Sequence, residues 1–551
     1  MRSGSSGASK APYNARVARV VVSILLALAL SCARETPQPP PPPPPAAAAP
    51  APVDGGRVVR RLETDVRSLN YLLQTTEDER QVLALIYDPL VEFDQTLSPI
   101  PATAASWEIL DEGRTYQFRL DPRATFSDGT PVRASDVVFT LNKILDADSV
   151  QFESYFEDLD REQTKAIDEK TVRVTFKEAR AGRLLSFNIG VMPEHVYAEG
   201  DFAKATKVIG NGPYVLTRRG RDGTILLERR DDYWREKPGI ASVLFRPIKD
   251  DAVAWNAIRK GDVDITRVNN DTWVRVKDDP TVTADIAFHD VYKLAWNGIA
   301  WNLSDPLLAD ARVRHALAMS FDRNAIIDAL YHGQARPVTG PFTPDSWAAN
   351  PEVSPVLFNP DAAKALLGGA GWRDSDGDGV LDRGGEKLGL KLLIAAGSDA
   401  SRDHAQVFQE SLRKVGVALD IVPLDEAAFY DMVFKRNYQA AYLAWVNDPD
   451  PDPFSLFHSS QIAPNGMNVG GYADEEADQL IERARTQLDR GRRADLYHQL
   501  HSLLARDQPY LFTVQVGEKW AVRKRVQNVQ VAPGVGLFLW YPGQRAWHLR
   551  D

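Results

Sequence analysis

The chain has 551 residues, 44% of them hydrophobic and 25% charged, which is enough apolar mass for more than one packed domain and excludes wholesale disorder. Its 65 Lys and Arg against 75 Asp and Glu give a formal net charge of -10, a poor basis for binding nucleic acid, which needs many phosphate-neutralising cations. A single cysteine, Cys32, rules out an internal disulfide, a CxxC redox pair and a thiolate cluster.

In chain order, Arg2, Lys10, Arg16 and Arg19 precede the apolar run Val20–Leu30, which only Ser23 interrupts. The run is shorter than the roughly 20 residues a spanning helix needs, so 1–31 reads as a signal peptide. Leu28-Ala29-Leu30-Ser31-Cys32 resembles a bacterial lipoprotein cleavage box, with Ala29 where that box usually has Leu. The resemblance implies cleavage before Cys32 and lipidation of its thiol. Residues 32–56 then read as a linker. The unbroken run Pro39–Pro45, followed by Ala46–Ala49, Pro50 and Pro52, favours an extended polyproline helix and builds no core.

Beyond Gly56 the pattern alternates short β-rich runs with amphipathic helices, which argues for α/β lobes. Alternation predicts strands at Thr115–Leu120, Thr171–Phe176 and Thr224–Leu227. Helical spacing predicts helices over Ser135–Leu145 and Val313–Leu330, and from Asp361 to Leu367 with a stop at Gly368-Gly369. Two more are expected at Glu475–Leu488 and Arg493–Ala505, joined around Gly491. Phe126–Pro131 and Gly210-Asn211-Gly212-Pro213-Tyr214 have turn chemistry and read as scaffold. Trp296 and Trp301 read as core.

The most informative segment is Trp445-Val446-Asn447-Asp448-Pro449-Asp450-Pro451-Asp452-Pro453. Proline at every second position disfavours helix. An extended backbone would put Asp448, Asp450 and Asp452 on one face. Three crowded carboxylates repel, so they either diverge in a turn or surround a cation. Elsewhere, Asp374-Ser375-Asp376-Gly377-Asp378 opens like a calcium loop, but Gly385 stands where the pattern needs its twelfth-position Glu. A plain turn is the reading, and no metal is expected. His498 and His501 are i, i+3 on a helix and read as a surface pair. No HExxH, GxSxG or Walker loop is present, so a surface hydrolase is disfavoured and no enzyme or cofactor is expected.

Several motifs, taken in order, resemble the extracellular solute-binding proteins of peptide-type ABC importers (family 5). They are Tyr87-Asp88-Pro89-Leu90-Val91, Trp107, Phe126-Ser127-Asp128-Gly129-Thr130-Pro131 with Asp136-Val137-Val138-Phe139, and Gly210–Tyr214. Further on come Asp310 with Arg312-Val313-Arg314, Asp322-Arg323, Ala370-Gly371-Trp372, and Trp445 with Asp448. The resemblance spans about Leu69 to Pro533. It departs at Arg133, where the family often has a small hydroxyl residue that caps a helix.

The resemblance implies a periplasmic-binding-protein-like α/β fold: two lobes with a hinge, plus an extra subdomain. Lobe I would comprise 57–86, 205–290 and 515–551, the subdomain 87–204, and lobe II 291–514. It also implies capture of peptides in an interlobe cleft and delivery to an ABC permease, by a monomer held at the membrane by a lipid anchor and facing the periplasm or exterior. Relatives with the same fold handle nickel chelates, oligosaccharides or opines, and a peptide sensor or chaperone without transport is a further alternative. By the same resemblance Asp448 would pair with the α-amine of a bound peptide and Trp445 would wall the pocket. Asn468 and Tyr472 would lie on a loop near it.

Overall fold

The computed structural model describes residues 54–146, 152–199, 204, 206–462, 466–531, 540, 541 and 543–550. The signal segment, Cys32 and all of the linker before Asp54 lie outside the described residues. Among the described residues no helix is long and apolar enough to cross a membrane.

Three sheets organise the body. The first has eight strands. Seven run in the order Ile286–Tyr292, Val514–Arg523, Ile265–Val268, Arg57–Leu62, Ser242–Pro247, Ile225–Arg229, Tyr214–Arg219, and Ala335–Pro337 adds to Val514–Arg523. The second runs Ala418–Leu424, Gly389–Ala395, Ala440–Val446, Ala295–Trp301, Tyr510–Phe512. The third runs Ala104–Leu110, Thr115–Leu120, Thr171–Thr175, Lys165–Ala166. Strands interleaved with helices give the expected α/β class.

The second sheet is buried on both faces. Leu392, Ala440 and Tyr442 enter one apolar cluster, while Leu393, Ala441 and Leu443 enter the other. This is the period-two alternation of a central strand, with an apolar residue at each position of Ala440–Leu443. The third sheet has no separate core. Its Tyr116, Phe118, Val172 and Val174 pack in one cluster with Val58, Val243 and Phe245 of the first sheet. The first and third sheets therefore share one interior, and the second sheet has its own.

Two of the passages between these sheets are short. Ile286–Tyr292 of the first sheet is followed at once by Ala295–Trp301 of the second, and Tyr510–Phe512 of the second by Val514–Arg523 of the first. The two passages are tied together. Thr513 donates to the Asn297 carbonyl from its amide at 3.0 Å and its hydroxyl at 2.7 Å. Gln515 Nε2 donates to the Lys293 carbonyl at 2.7 Å.

Several local expectations hold. Thr115–Leu120 is a strand as read, and the helix expected over Ser135–Leu145 spans Ala134–Asp146. Trp296 and Trp301 are 1% and 0% exposed, deep in the core. The glycines of the Gly210–Tyr214 motif serve close approach. A Cβ on Gly210 would lie 2.1 Å from the Ile86 carbonyl oxygen. Between them Asn211 is fully buried, accepts from the Asp88 amide at 3.0 Å and donates to Thr103 Oγ1 at 2.9 Å. Two of the sequence motifs thus interlock as scaffold.

Two helix expectations need correction. Val313–Leu330 is not one helix but two, Ala311–Met319 and Arg323–Tyr331. Asp322 breaks it by capping the second, accepting from the Ala325 amide at 3.0 Å. Near the C-terminus the break falls before Gly491. The helices are Glu475–Thr486 and Arg490–Asp507, and Asp489 caps the latter by accepting from the Arg492 amide at 2.8 Å.

Candidate ligand-binding site

The Asp-Pro segment leaves the strand Ala440–Val446 beside the first passage between the sheets, where the Asn447 amide donates to the Leu294 carbonyl at 2.6 Å. The prolines have no N–H, so at those positions the backbone is fixed through its carbonyls. Trp347 Nε1 donates to Pro449 O at 3.0 Å and the Tyr497 hydroxyl to Pro451 O at 2.8 Å.

The three carboxylates diverge, each to its own partner. Asp452 accepts from Arg485 Nε at 2.9 Å and from the Phe454 amide at 3.0 Å. Asp450 accepts from Arg493 at 2.6 Å. Asp448 accepts only a neutral donor, the Tyr155 hydroxyl, at 2.8 Å on Oδ1. Among the described residues no cation lies within ion-pair distance of Asp448. Burial pushes the Asp448 carboxyl above its ordinary value. The Tyr155 hydrogen bond opposes that rise, and the charges of Asp450 and Asp452 add to it. Asp450 is also raised by burial, against the pull of Arg493.

A cavity of about 230 Å³ opens at this segment, lined by Trp445 and Asp448 together with Phe342, Leu456 and Met467, among others. Two carboxylates thus reach the cavity, Asp448 and Asp452. Asp452 is already paired with Arg485, which leaves half-buried Asp448 as the one suited to a ligand with a cationic end.

Asn468 and Tyr472 are not among the residues lining this cavity. Asn468 is 1% exposed. Its Nδ2 donates to the carbonyls of His458 and Tyr472 at 3.1 and 2.8 Å, and its Oδ1 accepts from the Tyr472 amide at 3.1 Å. The Tyr472 hydroxyl donates to Asp507 at 2.8 Å. Their polar atoms brace the loop that brings Met467 to the cavity. Sequence reasoning missed Tyr155 and Phe342. Neither stands in a motif, and Tyr155 is 293 positions from Asp448.

The remaining candidates have structural roles. At the acidic turn, oxygens of Asp374, Asp376 and Asp382 gather within 4.8 Å. Lys387 lies among them, 2.7 Å from Asp376 and 2.9 Å from Asp378, while Asp374 accepts from the amides of Gly377 and Gly379. The turn is organised by backbone amides and the protein's own ammonium group. The expectation of a surface histidine pair is corrected: His501 is 1% exposed. Its Nδ1 accepts from the Asn350 amide at 3.0 Å and its Nε2 bonds Thr339 at 2.9 Å, because the 339–350 loop covers that helix face.

Comparison with known proteins agrees with this architecture. The model of the bacterial extracellular solute-binding proteins, family 5 middle, matches residues 98–466. The oligopeptide-binding protein AppA of Bacillus subtilis (strain 168) is 28% identical over 484 residues, covering 85% of this chain and 88% of that protein. Its structure in complex with a nonapeptide matches with a TM-score of 0.70 at 26% identity, over 91% of this chain and 100% of that one. The dipeptide-binding protein of Escherichia coli (strain K12) is 26% identical over 477 residues, covering 81% of this chain and 87% of that protein. The nickel-binding periplasmic protein of the same organism is 24% identical over 488 residues, covering 83% and 89%. The chain belongs to the bacterial extracellular solute-binding proteins of family 5.

Proposed function

We propose that this protein is the ligand-binding receptor of an ABC importer and that it captures peptides by their free amine at Asp448, without making or breaking a bond. The observation that carries this reading is the difference among the three aspartates. Asp450 and Asp452 each have an arginine, and Asp448 has only a hydroxyl. A carboxylate facing an apolar cavity with no cation of its own suits an ammonium group, and the pairing is strong once water is excluded. Trp445 and Phe342 supply apolar walls. The relatives named for oligopeptides and dipeptides support the substrate class.

In this reading lobe I is 57–86, 205–290 and 515–551, lobe II is 291–514, and 87–204 is a subdomain that packs with lobe I. The passages at Lys293-Leu294 and Thr513 form the hinge, and ligand that touches both sides stabilises the closed form. Cys32 carries a lipid that holds the receptor at the membrane, the proline-rich linker spaces the body from it, and the closed monomer docks on the permease.

The test is calorimetry on the full-length protein, unfolded and refolded to strip carried-over ligand. A pool of di- to pentapeptides is titrated first, then the same pool with acetylated N-termini. Heat with the first pool and none with the second is the expected result. Binding indifferent to acetylation would discard the amine anchor, and no heat with either pool would turn the search to metal chelates and sugars.

A further inference from the structure

Asp448 meets Tyr155 across a contact between two parts of the chain. Asp448 belongs to the part of the chain built on the second sheet, whereas Tyr155 stands on the short helix Glu153–Phe156, whose Phe156 is fully buried in the interior shared by the first and third sheets. That helix is held in place. Arg183 donates to the Tyr155 carbonyl at 3.2 Å and stacks 4.0 Å from the centre of the Phe176 ring. The hydroxyl is therefore presented from a braced support, as a precise contact requires.

Resting on the reading of Asp448 as an amine anchor, we propose that Tyr155 is a specificity-determining residue of that site. Its hydroxyl binds Asp448 Oδ1 and leaves Oδ2 for the ligand's ammonium, so that the acceptor is complete only when the two sides of the cleft meet.

Three observations support this assignment. A phenol donates one hydrogen bond and brings no charge, so the carboxylate keeps its full negative charge. A carboxylate with no cation of its own, once a ligand covers it and excludes water, rejects a neutral end group more strongly than a merely polar site does. Second, the flanks of the same seam are joined by bonds that need no ligand. The Ala181 amide donates to the Arg485 carbonyl at 2.6 Å, and Arg490 donates to Ser98 Oγ and Thr96 O, both at 2.9 Å. Tyr155–Asp448 is the seam contact whose acceptor faces the cavity. Third, the neighbouring Asn447 amide bonds Leu294 at the passage between the sheets, so the anchor segment is tied directly to that passage.

The charged groups around the pair are few. Asp450 and Asp452 act on Asp448 from its own segment, and Arg80 acts on Tyr155 from the other side. Removing the hydroxyl leaves the carboxylate without a donor, so it takes up a proton at higher pH.

The experiment compares Tyr155→Phe and Asp448→Asn with the wild-type full-length protein by calorimetry from pH 4 to 8, using the free-amine and acetylated peptide pools. Tyr155→Phe keeps the ring, and circular dichroism checks that each variant is folded. The expected result is about tenfold weaker binding of the free-amine pool by Tyr155→Phe, with its acid limb moved to higher pH and no change for the acetylated pool. Asp448→Asn should abolish the preference for a free amine. If Asp448→Asn abolishes it while Tyr155→Phe binds with wild-type affinity and pH profile, the anchor stands and the role of Tyr155 is overturned. If Asp448→Asn keeps the preference, the anchor itself falls, and the role of Tyr155 with it.

Discussion

Gly182 lies against Asp450: a Cβ on this glycine would sit 3.0 Å from the Asp450 carboxylate carbon. Gly182 also has a φ of 78°, a conformation that costs an L-residue about 1 kcal/mol. The aspartate cannot swing far, because Arg493 holds it at 2.6 Å. Gly182→Ala is therefore expected to act as a wedge, weakening ligand binding about fivefold and enlarging the liganded particle in small-angle scattering. An unchanged radius with unchanged affinity would mean that the seam has slack at this point.

Asp448→Asn is expected to separate binding from stability. Burial raises the folded-state pKa of Asp448, so the folded protein holds that proton more tightly than the unfolded chain does. At neutral pH the ionised carboxylate therefore works against folding, and its burden lifts as pH falls toward the carboxylate range. The amide has the same shape and can still accept from Tyr155. At pH 7 the variant should match or exceed the wild type in urea unfolding, by up to about 1 kcal/mol, with the gap closing in acid. A clearly less stable variant at pH 7 would mean that the carboxylate already has a favourable charged partner, and the amine-anchor reading would lose its basis.

What the sequence made legible was local or ordered along the chain. The strand Thr115–Leu120 and the helix Ala134–Asp146 follow from alternation and helical spacing, which act within one element. The family followed from the order of many weak motifs. The break at Asp322 was hidden because the apolar spacing of Val313, Leu317, Phe321 and Ile327 runs straight across it, while a single side-chain cap decides where the second helix starts. Gly491 looked like a joint, but Asp489 is the better cap and a glycine is tolerated in the first helical turn. The divergence of the three aspartates could not be read at all, because their partners lie 33, 43 and 293 positions away. For the same reason the spacing of His498 and His501 could not reveal the loop that buries His501.

The buried histidines predict a loss of stability in mild acid. His404 is fully buried between two phenols, with Tyr331 at 2.9 Å from Nε2 and Tyr442 at 2.8 Å from Nδ1. Burial pushes it down to about 4, and the same cause pushes His501 down to about 4. An unfolded histidine takes up its proton below about pH 6.5, whereas these two stay neutral in the fold until about pH 4. The unfolded state therefore binds more protons across that window. Stability is complete above pH 6.5 and declines as pH falls toward 4, by about 3 kcal/mol for each histidine. The raised carboxyls of Asp88 and Asp136 act in the opposite sense, so the informative quantity is the difference between two proteins. His404→Gln keeps a donor and an acceptor for the tyrosines but does not titrate. It is expected to be less stable than the wild type at pH 7.5 and to lose less on going to pH 5 when both are followed by urea unfolding. Parallel pH curves for the two would show that His404 takes up its proton without opening the fold.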